Sequence, residues 1–159
     1  MTIHMIWAEA RDHVIGAGGT IPWHIPGELA LFKQRTLGSM VVMGRRTWES
    51  LPRKPLPGRR NLVLTSRPIE GVETASSVEE VLAAETDFWV IGGGGVYAAF
   101  LPHSGHIVRT EIDLDVPGDV WAPEIGDGWS AASGDWQITD TGVRWRVVEH
   151  LRMEAPRKA

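Results

Sequence analysis

Short apolar runs alternate with helical segments along this chain, and this alternation is the feature that most constrains its fold. Strands are predicted at residues 3–10, 40–43, 61–65 and 88–91, and helices at about 26–37, from about 44–48 onward, at 78–84 and at about 96–101. Strands that alternate with helices indicate an α/β domain with a largely parallel sheet. The last two predicted strands, 107–112 and 143–151, have no clear helix between them, so we expect an antiparallel edge.

Composition limits the classes to which the chain can belong. Its 159 residues are 43% hydrophobic and 23% charged, which is typical of one globular domain covering 1–159. The absence of cysteine excludes disulfides and cysteine nucleophiles. No apolar run reaches the ~18 residues of a membrane span, and the N-terminus lacks the pattern of a signal peptide. We therefore expect a cytoplasmic protein.

The net charge of −4 hides an uneven distribution. Residues 45–67 contain seven Arg and Lys side chains with Glu49 as the only acid, whereas residues 111–140 contain eight acids and no Arg or Lys. A basic cluster on an acidic chain suits a small polyanion better than a nucleic-acid duplex. A solvated basic surface without a ligand is the alternative.

Glycine, serine, threonine and arginine residues follow three of the predicted strands, at residues 44–47, 65–67 and 92–95. Ligands of such sheets bind beyond the carboxyl ends of the strands. The glycine run at 92–95 would let a phosphate approach backbone amides, although a flexible turn explains it equally well. Arginine pairs bidentately with phosphate oxygens, so two basic strand ends favour NADPH over NADH.

Glu28 is the strongest candidate for an acid–base residue. Pro26 suits the first position of a helix, which places Glu28 in the first turn on the same face as Leu31 and Phe32. Apolar neighbours disfavour the charged carboxylate and so favour an acid with a raised pKa. The alternative is an ordinary first-turn acid that complements the helix dipole. A capping box is excluded because Ile25 has no side-chain oxygen.

Two other kinds of catalytic site are not expected. The six histidines are scattered, without the spacing of a metal site. No Gly-x-Ser-x-Gly nucleophile motif is present.

Six blocks in order make the chain resemble the dihydrofolate reductase family over about residues 3–151. They are Val14-Ile15-Gly16, the segment from Ile21-Pro22-Trp23 to Phe32, Val42-Met43-Gly44-Arg45 with Thr47-Trp48-Glu49-Ser50, Pro55-Leu56-Pro57-Gly58-Arg59 with Asn61, Val90 to Gly94 with Val96-Tyr97, and Thr110 to Asp113. The resemblance implies a three-layer fold with a mostly parallel sheet of about eight strands, an antiparallel C-terminal edge and about four helices. It also implies NADPH-dependent reduction of 7,8-dihydrofolate.

The resemblance assigns catalytic and substrate-binding roles. Glu28 would bind the 2-amino group and N3 of the pterin and promote protonation of N5, with Trp23 holding a water and Thr110 bonding the carboxylate. Phe32 and Leu51 would enclose the substrate beside Leu56, and Arg59 would pair with the α-carboxylate of its glutamate. The remaining substrate contacts would be Ile6, Trp7, Ala8, Ile91 and Tyr97. Glutamate at position 28 departs from the usual aspartate of bacterial members.

The resemblance also assigns a cofactor site. Ala8, Ile15, Gly16 and Ile91 would border the nicotinamide, Arg45, Thr47, Gly93, Gly94 and Gly95 would hold the phosphates, and Ser66 and Arg67, with Arg45 or Arg46, would select the 2′-phosphate. Gly44, Leu64, Val96 and Tyr97 complete the set. The family further implies a cis peptide at Gly92–Gly93 and a mobile loop at 11–23 that closes over the nicotinamide.

Two other functions remain as alternatives. One is a riboflavin-pathway NADPH reductase of the same fold, which is not expected to carry the segment 22–28 or the motif 55–59. The other is a nonenzymatic module that binds nucleotide or RNA through residues 45–67. The partners implied by the favoured function are dihydrofolate and antifolate inhibitors, with no membrane, no obligatory nucleic acid and a monomeric state.

Overall fold

A computed structural model describes residues 2–18 and 21–153 of the chain. The strands are β1 Ile3–Glu9, β2 Val14–Gly16, β3 Met40–Gly44, β4 Arg60–Leu64, β5 Glu73–Ala75, β6 Phe88–Val90, β7 His106–Ile112, β8 Val120–Trp121, β9 Ala132–Ser133, β10 Gln137–Ile138 and β11 Arg144–Leu151. The helices are α1 Pro26–Thr36, α2 Arg45–Ser50, α3 Val78–Ala84 and α4 Gly94–Phe100, with short 3-10 turns at Arg11–His13 and Leu101–His103.

The central sheet has the strand order β10-β11-β7-β1-β6-β3-β4-β5, with β9 also paired to β11. The strands from β7 to β5 run parallel to their neighbours, and β11 runs antiparallel to β7. The predicted α/β class, the mostly parallel sheet of about eight strands, the antiparallel C-terminal edge and the four helices are therefore confirmed. In the described part of the chain, β2 and β8 form a separate two-stranded sheet.

Helices cover both faces of the sheet and make three layers. On one face, Val81 of α3 and Tyr97 and Phe100 of α4 pack on a buried cluster that includes Met5 of β1. On the other face, Phe32 of α1 and Trp48 of α2 pack against Ile6 and its neighbours. The central strands are apolar on both sides, as expected of parallel strands buried between helices.

Local sequence explains where the helices begin and end. Pro26 occupies the first turn of α1, and Gly38, just past its end, has φ +81°, a conformation that glycine adopts without steric cost. Ser77 caps α3 by accepting a hydrogen bond from the amide of Glu80 at 3.1 Å. Helix α4 starts at Gly94, two residues before the predicted start, because Gly94 and Gly95 already belong to its first turn.

Candidate active site

The carboxyl end of β3 meets the loop that follows β6. The amide of Gly44 donates to the carbonyl of Gly92 at 2.8 Å, and the peptide between Gly92 and Gly93 is cis, as predicted. A Cβ atom at Gly92, where φ is +123°, would lie 3.4 Å from the hydroxyl oxygens of Thr47 and Tyr97. The end of β3 and the loop after β6 therefore face each other across glycine backbone.

The start of α1 lies close to β11. A Cβ atom at Gly27 would lie 2.6 Å from the indole of Trp145, so glycine permits this approach. Glu28 is the next residue, and among the described residues its carboxylate has neither an ion pair nor a side-chain hydrogen bond. Burial alone raises the pKa of Glu28 to about 7. The carboxyl group therefore titrates near neutral pH.

Tyr97 lies near Glu28 and bonds to β1. Its hydroxyl donates to the carbonyl of Ile6 at 2.7 Å. Burial and the nearby charge of Glu28 both raise the pKa of this phenol, so it stays a neutral donor. The carboxylate of Glu28 therefore lies near a buried phenol that is bonded to β1.

Glu80 shows that helix position does not explain the behaviour of Glu28. Both glutamates are the third residue of their helix. The carboxylate of Glu80 accepts hydrogen bonds from the amide and hydroxyl of Ser76 at 2.9 and 2.8 Å, and these bonds lower its pKa. Glu28 has apolar surroundings in place of such donors, which favours the acid–base interpretation over a simple dipole effect.

Replacing Glu28 by glutamine should stabilise the protein in a pH-dependent way. The folded-state pKa of about 7 exceeds the ordinary 4.5, so the native state loses stability as pH rises between these values. We expect the free energy of unfolding of Glu28→Gln, relative to the wild type, to increase by about 2–3 kcal/mol between pH 5 and pH 8. Urea denaturation at several pH values measures this difference.

Glu80→Gln is the matched control, because its carboxylate has a lowered pKa. Ionised Glu80 stabilises the fold, so this variant should be less stable than the wild type at pH 7. A stability difference for Glu28→Gln that does not change with pH would contradict the raised pKa.

An apolar wall adjoins Glu28. Phe32, Leu51 and Leu56 pack in one cluster with the buried side chains of Ile6 and Ile91. These predicted substrate contacts are therefore brought together on the face of the sheet that α1 covers.

Three further predicted residues lie on the same face. Ala8 and Trp23 pack beside Ile25, and Thr110 is buried as the register partner of Ala8 on β7. Thr110 makes no direct hydrogen bond to Glu28 in the described part of the structure. The roles of Trp23 and Thr110 stay predictions.

The side chain of Trp7 lies on the opposite face of the sheet. Its ring packs 5.2 Å from that of Tyr97, and its indole N–H donates to Glu9 Oε1 at 2.9 Å. Strand alternation explains this, since Ile6 and Ala8 take the face toward α1. As a predicted substrate contact, Trp7 can offer only its backbone.

Arg59 lies at the outer end of the apolar wall. Its guanidinium donates to the carbonyl of Pro57 at 3.0 Å and to the hydroxyl of Thr36 at 3.1 Å, and lies 5.8 Å from the ring of Phe32. No carboxylate pairs with it among the described residues. Neighbouring Arg60, in contrast, bonds both Glu73 and Glu85. Arg59 therefore offers an unpaired positive charge suited to a carboxylate ligand.

Arg45, the first residue of α2, contacts the loop after β4. Its Nη1 lies 3.5 Å from the carbonyl of Arg67, and its Nε bonds Glu49 at 2.9 Å. Arg46, Ser66 and Arg67 are exposed, and Leu64 ends β4. The predicted phosphate-binding arginines therefore lie at the ends of neighbouring strands.

The glycines at these strand ends allow close packing of the chain and leave an open surface at Gly95. A Cβ atom at Gly44 would lie 3.0 Å from Val96, and one at Gly94 would lie 3.0 Å from Val120 and 4.0 Å from Ile15, whereas Gly95 faces open space. The arginines supply positive charge, and the amides of the glycine strip, Gly93 to Gly95, supply hydrogen-bond donors. This combination fits a phosphorylated dinucleotide.

Asp119 holds the loop that carries Ile15. Its amide donates to the carbonyl of Gly16, and its carboxylate accepts from the amide of Gly18, both at 3.0 Å. Residues 19 and 20 lie outside the described residues, so the predicted mobile loop 11–23 is described only in part. Sequence reasoning missed Asp119 because nothing in its neighbourhood distinguishes it from the other acids of the segment 111–140.

Two further properties concern other classes of function. Within residues 2–18 and 21–153, no group of three or more His, Cys, Asp or Glu side chains is arranged to hold a metal ion. The helices described are too short or too polar to cross a bilayer.

Comparisons with known proteins agree on one family. The sequence profile of the dihydrofolate reductase family matches residues 2–149. The chain is 44% identical to the dihydrofolate reductase of Mycobacterium tuberculosis strain H37Rv over 158 residues, covering 94% of this chain and 98% of the relative. It is 41% identical to that of Neisseria meningitidis serogroup B over 160 residues, covering 96% and 99%.

A solved structure is similar over the same length. Dihydrofolate reductase from Enterococcus faecalis, complexed with NADP(H) and RAB-propyl, superimposes with a TM-score of 0.87 at 34% identity. The match covers 96% of this chain and 97% of that one.

Proposed function

Because the chain belongs to the dihydrofolate reductase family, we propose that Glu28 is the acid with which it carries out the NADPH-dependent reduction of 7,8-dihydrofolate to 5,6,7,8-tetrahydrofolate. One observation carries this role: a half-buried carboxyl group without a cationic partner among the described residues, with a pKa of about 7, beside an apolar wall. Such a group can both bind a donor-rich ring and hold a proton at neutral pH.

Glu28 orients the pterin and promotes the protonation of N5. Its carboxylate accepts hydrogen bonds from the 2-amino group and N3 of the ring. The reaction adds a hydride to C6 and a proton to N5, which reduces the C6–N5 double bond. N5 takes its proton from a water held by Trp23, and the nearby acid favours that protonation. Thr110 bonds and orients the carboxylate.

The rest of the substrate lies along the apolar wall. Phe32 and Leu51 enclose the pterin and aminobenzoyl rings, and Leu56 lies beside them. Arg59 pairs with the α-carboxylate of the glutamate tail. Antifolate inhibitors occupy the same pocket, since they present similar rings to the same side chains.

NADPH, when bound, supplies the hydride. Ala8, Ile15 and Ile91 border the nicotinamide and keep water away from the reacting carbon. The strip from Gly93 to Gly95, with Arg45 and Thr47, binds the phosphates. Ser66 and Arg67 recognise the 2′-phosphate, assisted by Arg45 or Arg46.

The structure disfavours the nonenzymatic alternative. Arg60 bonds Glu73 and Glu85. The charge of Arg60 is therefore already paired within the chain, which disfavours its use in binding the phosphates of RNA. The riboflavin-pathway alternative does not explain the presence of Glu28 or of the motif at 55–59.

We further propose a single-domain monomer that works in the cytoplasm. One chain supplies every residue of the proposed site, which supports the monomer. Both reactants are cytoplasmic metabolites, which supports the location.

The function is tested by NADPH oxidation, followed at 340 nm with dihydrofolate. We expect turnover with NADPH and much less with NADH. Arg67→Ala should reduce the preference for NADPH about tenfold, the effect of losing one charge-assisted hydrogen bond. Arg53→Ala, which removes an equal charge elsewhere in the basic segment, should keep the preference. Absence of dihydrofolate-dependent oxidation in the wild type would refute the proposed function.

A further inference from the structure

A buried carboxylate, Glu9, lies on the sheet face opposite Glu28 and has no part in the mechanism above. Its side chain is 5% exposed. It accepts the indole N–H of Trp7 at 2.9 Å, contacts His13 Nδ1 at 2.5 Å and lies 3.7 Å from Arg109 Nη1. A carboxylate is rarely buried unless it is paired, and these three contacts compensate the burial of Glu9.

His13 belongs to an unusual turn that follows β1. Asp12 and His13 have φ values of +61° and +63°, two consecutive residues other than glycine in the left-handed region. This conformation costs free energy for such residues, so surrounding contacts must hold it.

Both backbone and side-chain contacts hold the turn. The amide of Ala122 donates to the carbonyl of His13 at 2.8 Å, and the amide of Arg11 donates to Leu114 at 3.0 Å. The side chain of His13, which is 70% exposed, adds the link to Glu9 inside the sheet layer.

The turn determines the direction in which the chain enters β2. Ile15 follows two residues later and packs against the cluster that contains Tyr97. It also lies beside Gly94, at the glycine strip of the cofactor site. A change in the turn at residues 10–13 would therefore move Ile15 and Gly16 relative to that strip.

We propose that Glu9 is a positioning residue for cofactor binding: through His13 it fixes the left-handed turn and so places Ile15 and Gly16 against the nicotinamide. This role rests on the proposed function, in which Ile15 and Gly16 are cofactor contacts. Glu9 itself touches neither reactant.

The test compares Glu9→Gln with a matched control, Glu111→Gln. Glu111 is the register partner of Glu9 on β7. Its hydrogen bonds go to Arg109 at 2.7 Å and Arg146 at 2.8 Å, away from the turn. Both substitutions remove one negative charge from the same network, and only Glu9 contacts His13.

Glu9→Gln should weaken NADPH binding about fivefold, the effect of losing one hydrogen bond. It should also lower kcat while the KM for dihydrofolate stays within twofold. Glu111→Gln should keep both NADPH affinity and kcat within twofold, whatever it does to thermal stability. Tryptophan fluorescence titration measures the affinity, and steady-state kinetics separate KM from kcat.

A second substitution separates positioning from general damage. Glycine adopts a positive φ without steric cost. Adding His13→Gly to Glu9→Gln should therefore restore most of the NADPH affinity. His13→Ala, at an exposed position, breaks the same link without burying an amide and should reproduce the fivefold loss.

Three results would overturn the role of Glu9: wild-type NADPH affinity in Glu9→Gln and His13→Ala, an equal loss in Glu111→Gln, or no rescue by glycine. Different results would refute the proposed function itself. A wild-type chain that neither binds NADPH nor turns over dihydrofolate refutes that function, whereas an active wild type beside unaffected variants refutes only the positioning.

Discussion

We expect Glu28→Gln to lower kcat/KM for dihydrofolate by on the order of a hundredfold or more at pH 7, the range typical of removing an acid–base group. Glutamine keeps the size of the side chain but carries no titratable proton. The loss should shrink at pH 5, because solvent then protonates N5 more readily. Stopped-flow or steady-state NADPH oxidation between pH 5 and 9 measures both effects.

The wild-type rate should change with pH in a direction set by the pKa of Glu28. The pKa of Glu28 is about 7, and the protonated form favours transfer to N5. The wild-type rate should therefore fall as pH rises through this value, and the inflection should be absent in Glu28→Gln. Binding of substrate and cofactor shifts the inflection without removing it.

Two variants complete the experiment. Glu80→Gln changes a glutamate at the same helix position and should leave the rate and its pH profile unchanged. Glu28→Asp keeps the carboxyl group and should retain an inflection, which tests how the longer side chain matters. A Glu28→Gln variant with wild-type activity at pH 7 would assign the proton transfer to another group.

The fold was largely predictable because its signals are local. The helix at 78–84 was predicted with the observed bounds. Ser77 caps it by accepting from the amide of Glu80, and the carboxylate of Glu80 accepts from the amide of Ser76. The central strands were recognisable as apolar runs. Strand β5 was missed because three residues, two of them polar, carry no periodicity. Strands β2 and β8 pair Val14 with Trp121 and Gly16 with Val120, residues that are distant in sequence.

The site was predictable to the extent that its residues follow strands or share a helix face. Glu28, Phe32 and the glycine run belong to such segments. The unpaired state of Arg59 was not visible, because the ion pairs of Arg60 involve Glu73 and Glu85, which are distant in sequence. Glu9 was missed for a similar reason: a lone acid at the end of an apolar strand gives no sign that Trp7 and His13 bond to it.

We expect Arg59→Ala to raise the KM for dihydrofolate on the order of a hundredfold, the effect of truncating one partner of a partly buried charge pair, and to change kcat little. The guanidinium lies beside the ring of Phe32 and is oriented by Thr36 and Pro57. It is therefore preorganised for a carboxylate and gains nothing specific in the transition state, so its loss affects binding.

Two comparisons make the prediction specific. Arg60→Ala removes the same charge from the next residue, whose guanidinium already bonds Glu73 and Glu85, and should leave the KM within twofold. Dihydropteroate, which lacks the glutamate, should show almost the same KM with Arg59→Ala as with the wild type, since the missing carboxylate is the partner of Arg59. Arg59→Lys keeps the charge without the planar fork and should be intermediate. An equal loss with both substrates would mean that Arg59 shapes the pocket through Phe32 and does not recognise the glutamate tail.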